Sequence, residues 1–175
     1  MVKLTDLLPL NELGDLQNIE PFKLNKLKDE YYFKIRNGVQ VYIKFKYYEN
    51  LGIQKLIVDD GGVFDNTFDP DTDNIYNLGF TVNGSDTQFM KADQGLLFRV
   101  MKTLHLALED FIKFNRPFGI LLLGIDKGGE LKSDKQKNLL YYMIAKNNTP
   151  QGYTLKNLEC YLSNVKLDGY ILYEK

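Results

Sequence analysis

The stretch Tyr31–Tyr48 reads YYFKIRNGVQVYIKFKYY. Tyr31, Phe33 and Ile35 alternate with more polar residues, and Val39, Val41, Ile43 and Phe45 do the same after Asn37-Gly38. A period of two is the signature of a half-buried strand, so two such runs about a turn dipeptide predict an antiparallel hairpin. Register decides the turn. A two-residue Asn37-Gly38 loop would set Ile35 opposite Gln40 and place the apolar residues of one strand on the polar face of the other. A three-residue loop, Arg36-Asn37-Gly38, sets Ile35 opposite Val39 and Phe33 opposite Val41, so the branched and aromatic side chains share one face. The expectation is a type I turn followed by a bulge, with Gly38 left-handed.

Downstream, a third strand is expected at Gln54–Val58 and a fourth at Ile75–Val82, separated by an acidic loop rich in Gly, Asp and Pro. After the polar turn NGSDTQ the period changes. Leu97, Val100, Met101, Leu104, Leu108, Phe111 and Ile112 fall on one face at helical spacing. Asp93 is placed to cap this helix, and Asn115-Arg116-Pro117 ends it, because the residue before proline avoids the helical region. FGILLLGI (118–125) follows as a continuous apolar run, read as a central strand covered on both faces. A second helix spans about residues 134–147, with Ser133 and Gln136 as a capping box and Leu139, Leu140, Met143 and Ile144 as its buried stripe. Strands near Tyr153–Leu155 and Gly169–Tyr173 close the chain, and the segment between them has no assignment. Upstream, residues 1–30 form a turn-rich lead. Leu10, Leu13, Leu16 and Ile19 recur every three residues, but Pro9, Gly14 and Pro21 interrupt them. The lead is expected to dock on a single α/β (α+β) domain spanning 31–175, with a mixed, mostly antiparallel sheet and two main helices.

Composition bounds the function. A chain of 175 residues with 44% hydrophobic content buries enough surface to fold without disulfides or metals. One cysteine, Cys160, excludes an internal disulfide framework and points to a reducing compartment. The N-terminal apolar stretch carries acidic residues and shows no cleavable signal pattern, and the longest apolar run is strand-sized. A cytoplasmic protein without a membrane segment is expected. A net charge of −1 and a pI of about 5.9 argue against electrostatically driven nucleic-acid binding. Charge is nevertheless segregated: residues 21–50 hold seven Lys/Arg and three Asp/Glu, and residues 51–90 hold one Lys and seven Asp. Such segregation reads first as two solvated faces of opposite sign, with a partner-binding surface as the alternative, and it leaves an oligomer open.

Few side chains offer chemistry. Asp69, Asp71 and Asp73 alternate as in a calcium loop, but Asn74 stands where the loop needs Gly and Phe80 where it needs a bidentate Glu. No metal site is expected, although a weak cation site in this acidic loop is not closed off. His105 is the only histidine. That rules out the usual Ser-His or Cys-His pair unless another base serves, and it reads as a half-buried structural residue. Cys160 has no activating neighbour. The loop DKGGE (126–130) lacks the Lys-Ser/Thr ending of a P-loop, and Tyr141 and Tyr142 are the remaining candidate proton donors.

The element order (hairpin, strand, strand, helix, buried strand, helix, strand, strand) resembles the fold of GCN5-related N-acetyltransferases. The resemblance implies that Ile75–Val82 splays from Phe118–Ile125 and that acyl-CoA enters between them. Val82, Asp93, Gln94 and Gly95 would border the pantetheine and pyrophosphate, on the start of the helix where orphan amides and the dipole favour anions. Tyr141, in KNLLY, matches the family tyrosine that protonates the departing thiolate, with Tyr142 as the alternative. Gly152-Tyr153 resembles the pair that follows that helix. Two departures stand out: the phosphate loop is reduced to Gly95 in MKADQGLLFRV, and Asp93 puts negative charge where phosphates would lie. The strings ELGDL, YYFKIRNG and FRVMKTLHLALEDFI also resemble short proteins of tailed bacteriophages. The reading that follows is a non-catalytic, phage-type intracellular protein that binds a macromolecular partner. The alternative is an acyl-CoA-dependent N-acyltransferase that uses acetyl-CoA.

Overall fold

The computed structural model describes residues 18–28, 30–35, 38–59, 64–65, 74–83, 94–126, 132–133, 135–147 and 149–174. They fall into two compact units, one drawn from residues 1–44 and 80–114, the other from 45–79 and 115–175. The class is α+β, with mixed, mostly antiparallel strands and two main helices.

In the first unit the edge strand β1 (Asn25–Leu27) pairs with β2 (Glu30–Lys34), and β2 pairs with β3 (Gln40–Tyr47). The hairpin adopts the register its side chains demand. Phe33 faces Val41, Tyr31 faces Ile43, the Ile35 amide donates to the Val39 carbonyl at 2.9 Å, and Gly38 has φ 74°. Tyr31, Phe33, Val41 and Ile43 are buried together, each worth about 1.5–3 kcal/mol relative to exposure. The long helix α1 (Gln94–Asn115) buries Leu97, Val100, Met101, Leu104, Leu108 and Phe111, as their spacing predicts. It ends where Arg116, at φ 45°, precedes Pro117. Thr103, Ala107 and His105 are buried too, so the covered face is wider than the apolar stripe. Side chains tie the hairpin to α1: the Tyr31 hydroxyl donates to Asp110 Oδ2 at 2.7 Å, and Lys26 Nζ donates to the same oxygen at 3.0 Å. Farther up the chain, the Phe22 amide donates to Thr103 Oγ1 at 2.9 Å and its ring stacks on Phe33. Arg99 donates to the Glu20 carbonyl and lies 4.1 Å from the Phe22 ring.

In the second unit a 3-10 turn (Tyr48–Leu51) and left-handed Gly52 lead into β4 (Ile53–Asp59). The strand order there is the far strand β6 (Ile75–Val82), then β7 (Gly119–Leu122), β11 (Val165–Glu174), β10 (Tyr153–Leu162), β4 and β5 (Phe64–Asp65). β10 and β11 pair over ten residues across a Ser163-Asn164 turn with both φ values positive, the geometry that matches the twist of a tight hairpin. The unassigned segment is therefore the inner part of a hairpin, the end of β10, the turn and the start of β11. Helix α2 (Lys135–Asn147) buries Leu140, Tyr141, Met143 and Ile144, while Leu139 is only half-buried. Ser133 belongs to a two-residue strand, β9 (Lys132–Ser133), so the position preceding α2 shifts by one residue from the expected cap.

The apolar run 118–125 does not make one strand. β7 is buried at all four positions, but Ile125–Asp126 forms a separate strand, β8, paired with β9. Two contacts explain the break. The Gly124 amide donates to Asn138 Oδ1 of α2 at 2.7 Å, and the Leu122–Leu123 backbone crosses over Gly169. A Cβ on Gly169 would lie 2.7 Å from the Leu122 carbonyl oxygen, so only glycine allows the crossing.

Candidate functional site

The feature of the second unit that meets Tyr141 is the short pairing of β6 with β7. Their parallel pairing covers three positions, Ile75 with Gly119, Tyr76 with Ile120 and Asn77 with Leu121. A fourth rung would engage Leu78. Its carbonyl instead accepts a hydrogen bond of 3.1 Å from the Tyr141 hydroxyl of α2. Tyr141 is 3% exposed, and Leu78 is fully buried. A carbonyl at this depth without a donor would carry a desolvation penalty of about 1–3 kcal/mol, which the tyrosine removes. Beside it, Asn77 is 9% exposed and its Oδ1 has no hydrogen-bond partner. This buried spot thus holds one satisfied carbonyl and one acceptor without a donor.

α2 is anchored by Asn138 one turn before Tyr141. Its Oδ1 takes the Gly124 amide, and its Nδ2 donates to the Asp168 carbonyl at 2.8 Å. One amide side chain thereby joins α2 to Gly124, just past β7, and to Asp168 within β11, which fixes the height at which Tyr141 meets β6. Nothing local marks Asn138 in the sequence, since its two partners lie 14 and 30 residues away.

The other expected residues are distributed as follows. Val82 closes β6 and is buried, Gln94 is the first residue of α1, and Gly95 follows it and is exposed. All three belong to the first unit, whereas Tyr141 belongs to the second. Asp93, the DKGGE glycines, and Asp69, Asp71 and Asp73 lie outside the described residues. Tyr142 is half-buried, with its ring 5.2 Å from Tyr170 and the Lys146 ammonium 5.1 Å from its centroid. It borders an open groove of about 590 Å³ that runs from Tyr142 and Lys146 to Gly152 and Leu155. Gly152 is left-handed at φ 86°, and the Tyr153 hydroxyl is bound to the Pro117 carbonyl. Burial, reinforced by the Glu174 charge, raises the Tyr153 hydroxyl above the ordinary phenol value. That side chain is an anchor and offers no proton.

The remaining candidates read as structure. Burial pushes the Cys160 thiol up to about 12, so it carries no thiolate at neutral pH. His105 is 4% exposed, and so is buried instead of half-buried. Burial depresses its basicity while the Glu109 charge opposes the shift, and Nε2 lies 3.2 Å from Glu109 Oε1. Nδ1 has no partner. At Asp110, burial alone would raise the carboxyl, but hydrogen bonds from Tyr31 and Lys26 outweigh it and hold it below the usual range. Tyr31 is pushed up to about 12 by burial and by that carboxylate. No group of three or more His, Cys, Asp or Glu among the described residues is arranged to hold a metal ion. No helix among them is long and apolar enough to cross a membrane. Comparison of the chain with protein-family models, with curated proteins and with solved structures finds no match.

Proposed function

We propose that this chain is a non-catalytic, phage-type intracellular protein that keeps an acetyltransferase-like scaffold and uses its surface to bind another protein. One observation carries the reading: the Tyr141 hydroxyl is spent on the Leu78 carbonyl at a buried position. In an acyltransferase of this topology that tyrosine would be the general acid, and the backbone of the separated strand would receive pantetheine. Here the acid and the acceptor satisfy each other. The lone Gly95 in place of a glycine-rich phosphate loop supports the same reading, as does Asp93 beside it. Segregated charge in 21–50 and 51–90 supports a protein partner over nucleic acid, whose phosphates would meet a chain of net charge −1. The phage-like strings and the single thiol support an intracellular setting.

A second reading, acetyl-CoA-dependent N-acyltransfer, is favoured by the three-rung limit of the β6–β7 pairing and by the donorless Asn77 Oδ1. In it Tyr141 would release Leu78 and serve as the acid. Isothermal calorimetry with acetyl-CoA separates the two. The binding reading expects no heat up to high micromolar ligand. Saturable binding, abolished by a bulky substitution at Gly79 beside Asn77, would replace it with the enzymatic one.

A further inference from the structure

Past Tyr141, helix α2 ends beside a turn, and the groove of about 590 Å³ between them has fixed walls. The Thr149 hydroxyl donates to the Ala145 carbonyl of α2 at 2.7 Å. Residues 150–153 form a turn closed by the Tyr153 amide, which donates to the Pro150 carbonyl at 3.0 Å. Gly152 is left-handed, as the third residue of such a turn allows. The Tyr153 hydroxyl is held by the Pro117 carbonyl. On the helix side the Tyr142 ring packs on Tyr170 and holds the Lys146 ammonium 5.1 Å from its centroid. Every one of these residues belongs to the second unit.

The walls are tied down, but the polar groups that line the groove are not. Among the described residues the Lys146 ammonium has no carboxylate partner, and the Tyr142 hydroxyl and the Gln151 side chain make no hydrogen bond. Two effects of opposite sign set the charge. The C-terminal end of α2 contributes about half a negative charge, spread over its last carbonyls, one of which the Thr149 hydroxyl already satisfies. The full positive charge of Lys146 exceeds it, so the groove favours an anion. Pro150 and Leu155 give the lining an apolar part. A stacked planar ligand would have to displace Lys146 or Tyr170 from the Tyr142 ring, so an aliphatic body suits the groove better than an aromatic one.

We propose that this groove binds a small aliphatic carboxylate. The carboxylate meets the Lys146 ammonium and accepts from the Tyr142 hydroxyl and the Gln151 side-chain amide, and its chain lies along Pro150 and Leu155. A few polar groups fixed on a partly apolar wall are what orients a ligand in a pocket. Each methylene taken from water multiplies affinity by at most about fourfold, so butyrate should exceed acetate by several-fold and by no more than about fifteenfold. The site uses neither the Tyr141 hydroxyl nor the Leu78 carbonyl, and it stands under either reading of the function above.

Nuclear magnetic resonance titration of the full isotope-labelled chain with sodium butyrate is the test. Butyrate replaces chloride up to roughly 100 mM at constant ionic strength, because a single exposed ion pair contributes little and the site is weak. Saturable shifts of the Gly152 and Leu155 amides are expected, and butylammonium, with the charge reversed, should leave both unmoved. Lys146→Gln should weaken butyrate binding about tenfold. Lys146→Arg keeps the charge and should stay within about threefold of the wild type. Lys146 is exposed, and circular dichroism melts establish that both variants are folded. Shifts that never saturate, an equal response to butylammonium, acetate binding as tightly as butyrate, or unchanged affinity in Lys146→Gln would each overturn the proposal.

Discussion

Tyr141→Phe tests the feature on which the functional reading turns. The substitution keeps the ring, so it opens no cavity, and it removes only the hydroxyl that lies 3.1 Å from the Leu78 carbonyl. Leu78 is fully buried and Tyr141 nearly so, which leaves the carbonyl without a donor in a site that water does not readily reach. Truncating one partner of a buried hydrogen bond costs about 1–3 kcal/mol, more than the net worth of the bond, because the surviving group bears its desolvation penalty alone. For a chain of this size that corresponds to a fall in Tm of roughly 2–4 °C for each kcal/mol. Urea melts of the wild type and the variant, followed by far-UV circular dichroism, measure it. The midpoint should fall while the slope stays constant, since the surface exposed on unfolding is unchanged. Tyr142→Phe is the internal control and should change stability by less than about 0.5 kcal/mol, because Tyr142 is half-buried beside Lys146. A Tyr141→Phe variant as stable as the wild type would refute the reasoning. It would mean that the hydroxyl is not committed to Leu78, and the acid of the enzymatic reading would be free again.

Three further outcomes follow from named contacts. Gly169→Ala should destabilise by about 1–3 kcal/mol, because the new methyl meets the Leu122 carbonyl oxygen at 2.7 Å, whereas at Gly119 the nearest atom is the flexible Ile171 Cδ1 at 3.2 Å and alanine should cost less; paired urea melts rank them. Asp110 is held below its ordinary range when folded, so its contribution is complete above the unfolded value near pH 4 and is lost as pH falls through the folded value; the acid-side loss of stability between roughly pH 5 and pH 2 should be shallower in Asp110→Asn, and equal slopes would remove Asp110 from the account. His105 is also depressed when folded, so the unfolded chain binds its proton first and stability falls as pH drops through about 6.5; His105→Gln should flatten that slope between roughly pH 7.5 and pH 5.5, and an unchanged slope would assign it to another group.

Local physics made part of this structure readable from the chain. The hairpin register at Tyr31–Phe45 follows from keeping one face apolar, and Gly38 is left-handed as that register requires. The two helices and the strand Ile75–Val82 follow from periods of 3.6 and 2 bounded by proline and polar turns. The segment 156–168 carried the same information, with Leu158, Cys160, Leu162, Val165 and Leu167 about Ser163-Asn164, but its polar intervals hid a turn that contains no glycine.

Only the tertiary structure decided which strands meet and which groups are spent. β4 follows β3 in the chain yet pairs with β10, about a hundred residues on, because strand pairing is fixed by which apolar faces can be buried together, and no local pattern encodes that choice. The run 118–125 looks uniform in sequence, but Asn138 and Gly169 divide it, and both act from elements that the run itself does not mention. Tyr141 can be singled out by its place in α2, but its meaning depends on Leu78, sixty-three residues away. A hydroxyl that donates to a buried carbonyl and one free to donate to a leaving group are the same residue in the same string. The donor's partner separates them, and that partner is chosen only when the chain has folded.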